Sequence, residues 1–555
     1  MDRPRNFSCA ALGMAIVLAL STACGGGDDG KTTGDAGTSV TADGPKRGGT
    51  LVRRIASECK TLNWVMGTTI YENYVTLLLY DPLVYFGENL EYVPVLAESF
   101  DVSEDHMVIT VRLRDGIFWH DGKPITAHDV KFTMDKIQDP KVAALNKAGY
   151  FNKLDRLEVV DDRTVIFHWK EPYAPSVFAL TQLTPIPKHI YDVPDFDKNP
   201  ANRKPVGSGP FKFDEWRMGQ YISVLRNENY HGDPPYLDRV IFRVIEDDAV
   251  ALNALKAGEL DEMRVSQIQW ERQTTDEDFL EKFNKYHFYV PKYNYIGWNC
   301  RTEWFKDRRV RLAMTKLFDR ESINAKIYSG YAKPISGPFY INSWAYDRSI
   351  KPHPFDPLDA KRLLREAGWV DSNDDGILDK DGIKFEFEIL IHAGSMIAKQ
   401  FAELFQEQLR KAGVSMKIRQ LEGATFFEKV DQGHFNACML AWRLDLDPDI
   451  FDTFHSSQVP PKGLNHGFYS NARVDSLLEA GRTEFDQKKR EEIYHEVHRL
   501  MHLDQPYTFI NSVPDKWPIH KRVKNIVISP NGPYDYYPGS SYWYIDDDDW
   551  KSARK

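Results

Sequence analysis

The sequence predicts a mixed α/β protein folded as more than one large lobe. Three observations predict it. The chain has 555 residues, more than one hydrophobic core usually serves. Its composition, 42% hydrophobic and 27% charged, is that of a globular protein and not of a disordered one. And segments of period two alternate with segments of helical period from about Gly49 to the end. The formal net charge of −10 argues against nucleic acid as a partner, since a phosphate-binding surface needs clustered Lys and Arg.

The N-terminal 23 residues read as a secretion signal. Arg3 and Arg5 form a short basic region, and Ala10 to Leu20 is an apolar run too short to span a bilayer. Leu20-Ser21-Thr22-Ala23-Cys24 resembles a bacterial lipobox, with the Leu one place earlier than usual. That makes Cys24 a candidate for lipidation; the alternative is an ordinary cleaved signal with an incidental Cys. Residues 24–47, rich in Gly, Asp, Thr and Ala, read as a flexible tether, so the folded body starts near Gly49-Thr50-Leu51-Val52. Cys59, Cys300 and Cys438 are too few and too widely spaced for a disulfide framework or a metal pattern, and read as buried thiols.

Along the body, Met107, Ile109, Val111 and Leu113 alternate as one face of a strand, as do Val165, Phe167 and Trp169. Thr126-Ala127-His128-Asp129 opens a helix with a capping box in which Asp stands for Glu. Helical spacing joins Val310, Ala313, Met314 and Leu317. It recurs through Ala360, Leu363, Leu364 and Ala367, ended by Gly368, and through Phe401, Leu404, Phe405 and Leu409, ended by Gly413. Val414, Met416 and Ile418 then alternate as a strand. Tyr293, Tyr295 and Trp298 lie on a further strand, with the two tyrosines on one face; that face lines a cleft or packs in a core.

Three local patterns invite a chemical reading. Asp371, Asn373, Asp375 and Asp379 fall at the first, third, fifth and ninth positions of a calcium-type loop with Gly376 at the sixth. The twelfth is Gly382 and not the Glu such a loop requires, so calcium is a weak candidate beside a plain polar turn. His495, His498 and His502 share one side of a helix, but His495-Glu496-Val497-His498 is one residue short of the zinc-protease spacing; solvated or core-edge histidines are the simpler reading. Gly207-Ser208-Gly209-Pro210 lacks the third Gly of a dinucleotide loop and reads as a tight turn. No nucleophile elbow or phosphate loop is present, and no cofactor is expected.

Five segments in order resemble the family 5 extracellular solute-binding proteins, which include bacterial oligopeptide- and dipeptide-binding proteins. They are the stretch from Leu113-Arg114-Asp115-Gly116 through Trp119-His120-Asp121-Gly122-Lys123-Pro124 to Val130; Pro205-Val206-Gly207-Ser208-Gly209-Pro210-Phe211, followed by Arg226-Asn227-Glu228-Asn229-Tyr230 and Ala257-Gly258-Glu259-Leu260-Asp261; Arg308-Arg309-Val310-Arg311 with Phe318-Asp319-Arg320; Glu366-Ala367-Gly368-Trp369; and Trp442-Arg443-Leu444-Asp445-Leu446-Asp447-Pro448-Asp449. The resemblance implies a two-lobed periplasmic-binding-protein fold with a hinge, plus an extra third domain of the peptide-binding type. By that resemblance lobe I comprises 48–80, 205–290 and 513–555, the extra domain II 81–204, and lobe III 291–512. It further implies a non-enzymatic, monomeric lipoprotein outside the cytoplasm. Such a protein traps a peptide or other small solute and hands it to the permease subunits of an ABC importer. Asp445 matches the carboxylate that pairs with a peptide α-ammonium, although Asp447, Asp449 and Asp452 crowd the same segment. Trp442 is a candidate cleft wall or a core Trp. The Arg with which dipeptide binders grip the ligand carboxylate is missing, since His392-Ala393-Gly394-Ser395 stands there; Arg443 is the candidate substitute. An oligosaccharide, metal chelate or haem is the alternative cargo, and a secreted peptidase the alternative of another class.

Overall fold

The computed structural model describes residues 45–546; the signal segment, Cys24 and residues 25–44 of the tether lie outside them. Three sheets organise these residues, and each draws its strands from a different part of the chain. Thr50–Ile55 pairs in parallel with Arg239–Val244, which continues antiparallel through Tyr221–Arg226 to Phe211–Arg217. A second four-stranded sheet is wholly antiparallel and is built from Ala97–Val102, Val108–Leu113, Thr164–Trp169 and Leu154–Asp161. Its alternating residues Ile109, Val111, Val165 and Phe167 are fully buried. One continuous apolar core joins the two sheets, with Leu51 and Phe242 from the first and Ile109 and Phe167 from the second. Behind the first sheet a separate core packs Val52 against Ala251 and Leu255 of the helix Asp248–Lys256.

The third sheet has six strands in the order Lys333–Pro334, Tyr507–Ser512, Lys292–Trp298, Ala437–Arg443, Glu386–His392 and Ser415–Leu421. Its two faces bury different helices, because successive side chains point to opposite sides. Ile296, Trp298, Ala437 and Met439 pack on one side with Val310, Ala313 and Met314 of the helix Arg308–Lys316 and Phe401 and Phe405 of the helix Met396–Lys411. Tyr293, Tyr295, Leu440 and Trp442 pack on the other with Leu477 and Leu478 of Ala472–Thr483 and Tyr494 and Val497 of Gln487–Asp504. The helix stops follow backbone chemistry: Gly368 and Gly413 adopt φ of +91° and +79°, where any Cβ is strained.

Two crossings link the third sheet to the first body. The strand Phe283–Phe288, paired with Asp515–His520, runs through Pro291 into Lys292–Trp298; Tyr507–Ser512 returns through Pro514. The second sheet meets the first body at Gly207-Ser208-Gly209. A Cβ on Gly207 would lie 1.8 Å from the Leu79 carbonyl oxygen, and one on Gly209 2.7 Å from that of Leu78, so only glycine fits either place. The Ser208 hydroxyl accepts from the Asp81 amide (2.9 Å). His120 accepts from the Gly207 amide at Nδ1 (3.1 Å) and bonds the Gly209 carbonyl through Nε2 (3.0 Å). Two of the family-like segments are thus one structural joint. Among the described residues, no helix is long and apolar enough to cross a membrane.

Candidate functional site

A cavity of about 710 Å³ lies where the three sheet-bearing bodies meet. That is within the range of specific small-ligand sites. Its walls include Trp64 and Tyr74 from the first body, Lys147 and Tyr150 from the second, and Lys292 and Asp445 from the third.

Asp445 follows the end of the strand Ala437–Arg443, where the chain leaves the sheet. The crowding of acids beyond it resolves cleanly. Asp447 takes a bidentate pair from buried Arg490, at 2.7 and 2.8 Å. Asp449 receives Arg482 Nε at 2.7 Å, and the same guanidinium reaches Asp452 at 3.2 Å. These three carboxylates therefore neutralise arginines of two neighbouring helices and hold the segment in place. Asp445 has no arginine or lysine within 4.0 Å among the described residues. Its hydrogen-bond partner is Tyr150, whose hydroxyl donates to Oδ1 across the cavity at 2.9 Å. Surrounding protein pushes its pKa up, opposed by the Tyr150 hydrogen bond; Arg443 and Lys147 also favour its charged form. A carboxylate so placed has the charge to receive a cationic group entering the cavity.

Arg443 also lines the cavity. Trp442, Tyr293 and Tyr295 do not: they occupy the opposite face of the third sheet. Tyr293 and Tyr295 are 2% exposed, and Tyr295 stacks on Trp442 with ring centroids 6.1 Å apart and planes 2° from parallel. Strand alternation sends Arg443 and Trp442 to opposite sides, so the core alternative describes these three aromatics. His392, at the place of the missing dipeptide Arg, packs near Phe426 and Phe427, away from the cavity.

The calcium-type loop is closed on itself. Asp371 accepts from the Asp375 and Gly376 amides, Asp379 from Ser372, and Asp375 is held by Lys384. Among the described residues no group of three or more His, Cys, Asp or Glu side chains is arranged to hold a metal. His498, expected at a solvated or core-edge position, is fully buried. It bonds Ser336 Oγ through Nε2 (3.0 Å) and accepts the Asp347 amide at Nδ1 (3.1 Å).

Sequence reasoning missed Lys147 and Tyr150, which sit in the single helical turns Leu145–Ala148 and Gly149–Phe151, too short to show a period. It also missed Arg264, Lys292, Asp515 and Asp535, which fold into the same walls from distant segments. The dense run Tyr534-Asp535-Tyr536-Tyr537 is the one local clue to the last of these.

Residues 91–459 match the model of bacterial extracellular solute-binding proteins, family 5 (middle). The chain is 35% identical over 521 residues to the oligopeptide-binding protein AppA of Bacillus subtilis, covering 91% of this chain and 93% of that one. The structure of that AppA in complex with a nonapeptide superposes with a TM-score of 0.74 at 32% identity, covering 91% of this chain and all of the other. The structure of NikZ from Campylobacter jejuni in complex with Ni(L-His) gives 0.73 at 27% identity, covering 89% and 99%.

Proposed function

The chain belongs to the family 5 bacterial extracellular solute-binding proteins, and from that premise we propose that it captures peptides in the cavity between its lobes and delivers them to the permease of an ABC importer. Export would be directed by residues 1–23 and anchorage supplied by a lipid on Cys24. No chemical change of the cargo is invoked. The observation that carries the peptide reading is Asp445: of four crowded carboxylates it alone lacks an arginine, and it faces a cavity large enough for a peptide. It would receive the α-ammonium, while backbone hydrogen bonds hold the extended ligand without reading its side chains. The AppA–nonapeptide complex supports the same reading. Expected lobe I would be 48–80, 205–290 and 513–555, domain II 81–204 and lobe III 291–512, with the crossings at Pro291 and Pro514 as the hinge.

The test is a thermal-shift screen of peptide and oligosaccharide libraries, since a ligand raises apparent stability by mass action. Free-amine peptides are expected to shift the melting temperature, and their N-acetylated counterparts to do so weakly. A shift by sugars alone would sink the reading. The likeness to NikZ supports a second one, a small metal–amino acid chelate as cargo; a shift by Ni(L-His) and by no peptide would favour it.

A further inference from the structure

The cavity holds more charge than an ammonium receiver needs. Among the described residues four cations, Lys147, Arg264, Lys292 and Arg443, and three acids, Asp445, Asp515 and Asp535, line it. Two of the cations share one acid: Asp515 takes Lys292 at 2.5 Å and Arg264 at 3.1 Å. The other two have no such partner. Lys147 lies with its ammonium 4.2 Å from the centre of the Trp64 ring. Among the described residues the ammonium makes no hydrogen bond and has no carboxylate within 4.0 Å. Arg443 is likewise without a side-chain hydrogen bond or ion pair among those residues. It stands in the field of both Asp445 and Asp535 without touching either. Burial brings the Lys147 pKa down to about 8, with Asp445 opposing and Arg443 adding to the fall.

Lys147 is half-buried and Arg443 is exposed to the open cavity, so each presents a charge that no protein carboxylate neutralises by contact and that an incoming anion can meet. The Trp64 ring supplies part of a counter-charge for Lys147, and no ring is recorded over Arg443 among the described residues. The two belong to different walls, Lys147 to the second body and Arg443 to the third, and both act electrostatically on Asp445. An ammonium bound to Asp445 alone would bring a third positive charge into their neighbourhood.

Building on the peptide reading, we propose that Lys147 and Arg443 form an anion-receiving site beside Asp445, so that the preferred cargo carries a carboxylate a few ångströms from its free ammonium. An acidic first or second residue supplies that chemistry, and so does a γ-linked glutamyl head whose α-carboxylate stays free. Either ligand would place its ammonium on Asp445 and its carboxylate between the two cations, bridging the walls it closes.

Calorimetric titration at pH 7 with four pentapeptides tests this: one beginning with Glu, its γ-linked isomer, and otherwise identical ones beginning with Gln and Lys. At least one Glu-headed peptide is expected to bind about tenfold or more tighter than the Gln peptide, and the Lys peptide weaker still. Lys147→Gln and Arg443→Gln should each reduce the preference several-fold, and the double variant should abolish it. Lys147→Arg, which keeps the charge, should retain it. The α- and γ-linked peptides identify which source of the carboxylate fits. Equal binding of Glu and Gln peptides, or a preference untouched in the double variant, overturns the anion site while leaving the peptide reading intact. Binding of no peptide by the folded wild-type chain overturns both.

Discussion

At the scale of single residues, the site is defined by which charges are already spent. Asp447, Asp449 and Asp452 hold arginines, and Asp445 is the one of the four carboxylates that does not, which is why it is proposed as the ligand receiver. Asp445→Asn keeps the shape and a hydrogen-bond acceptor for Tyr150 but removes the charge. It should weaken free-amine peptides by about 2 kcal/mol, roughly thirtyfold, and leave N-acetylated ones unchanged, by calorimetry. Equal loss for both would show that Asp445 does not read the amine. His498 makes a second residue-scale prediction. Its Nδ1 already accepts a backbone amide, so the ring has no place for another proton, and burial brings its pKa down to about 4. The unfolded chain takes up a proton near 6.5 that the folded one refuses until about 4. The linked stability is therefore complete above pH 6.5 and is lost as pH falls to about 4, a change of about 3 kcal/mol. The His498 ring signals should titrate near 4 by NMR; a midpoint near 6.5 would contradict the assignment.

At the scale of elements, local patterns decided most of what formed. The expected capping box is present at the helix Ala127–Gln138, where the Asp129 carboxylate accepts the Thr126 amide at 2.9 Å. The alternation through Ile109, Val111 and Leu113 lies on the strand Val108–Leu113, and the helical stripe through Phe401 and Phe405 on Met396–Lys411. The Gly-Ser-Gly turn was legible as a turn, but not its role. Its glycines are required by the carbonyls of Leu78 and Leu79, which arrive from a segment more than a hundred residues away. Gly207→Ala should accordingly cost about 3 kcal/mol or more in denaturant unfolding, because the blocking atom is backbone and not a movable side chain. A loss below 1 kcal/mol would mean that the joint can shift, on the same scale of single-residue effects.

At the scale of the molecule, three bodies meet around one cavity, and the Tyr150–Asp445 hydrogen bond spans the second and third of them. Tyr150 and Asp445 approach from different bodies, so their contact exists only while the walls are close. Ligand binding drives closure to the extent that it favours the closed state. Tyr150→Phe should therefore speed ligand release severalfold, the equivalent of about 1 kcal/mol, in stopped-flow displacement. Small-angle scattering should show the molecule contract when peptide is added. An unchanged radius with saturating peptide would refute hinge closure.

The sequence by itself determined the mixed α/β class and most element positions, because periodicity, caps and turn residues are local properties; the candidacy of Asp445 came from the resemblance carried by the family-like segments. Only the tertiary structure decided which side chains line the cavity. Strand alternation alone could not say whether the face bearing Tyr293 and Tyr295 meets a cleft or a helix pair; packing against Ala472–Thr483 and Gln487–Asp504 settled it as core. Nor could composition pair Arg490 with Asp447, or bring Lys147, Tyr150 and Asp535 to the wall that faces Asp445. Those relations span from dozens to hundreds of residues. They follow from which surfaces fold together, a matter of long-range burial that no short stretch of chain encodes.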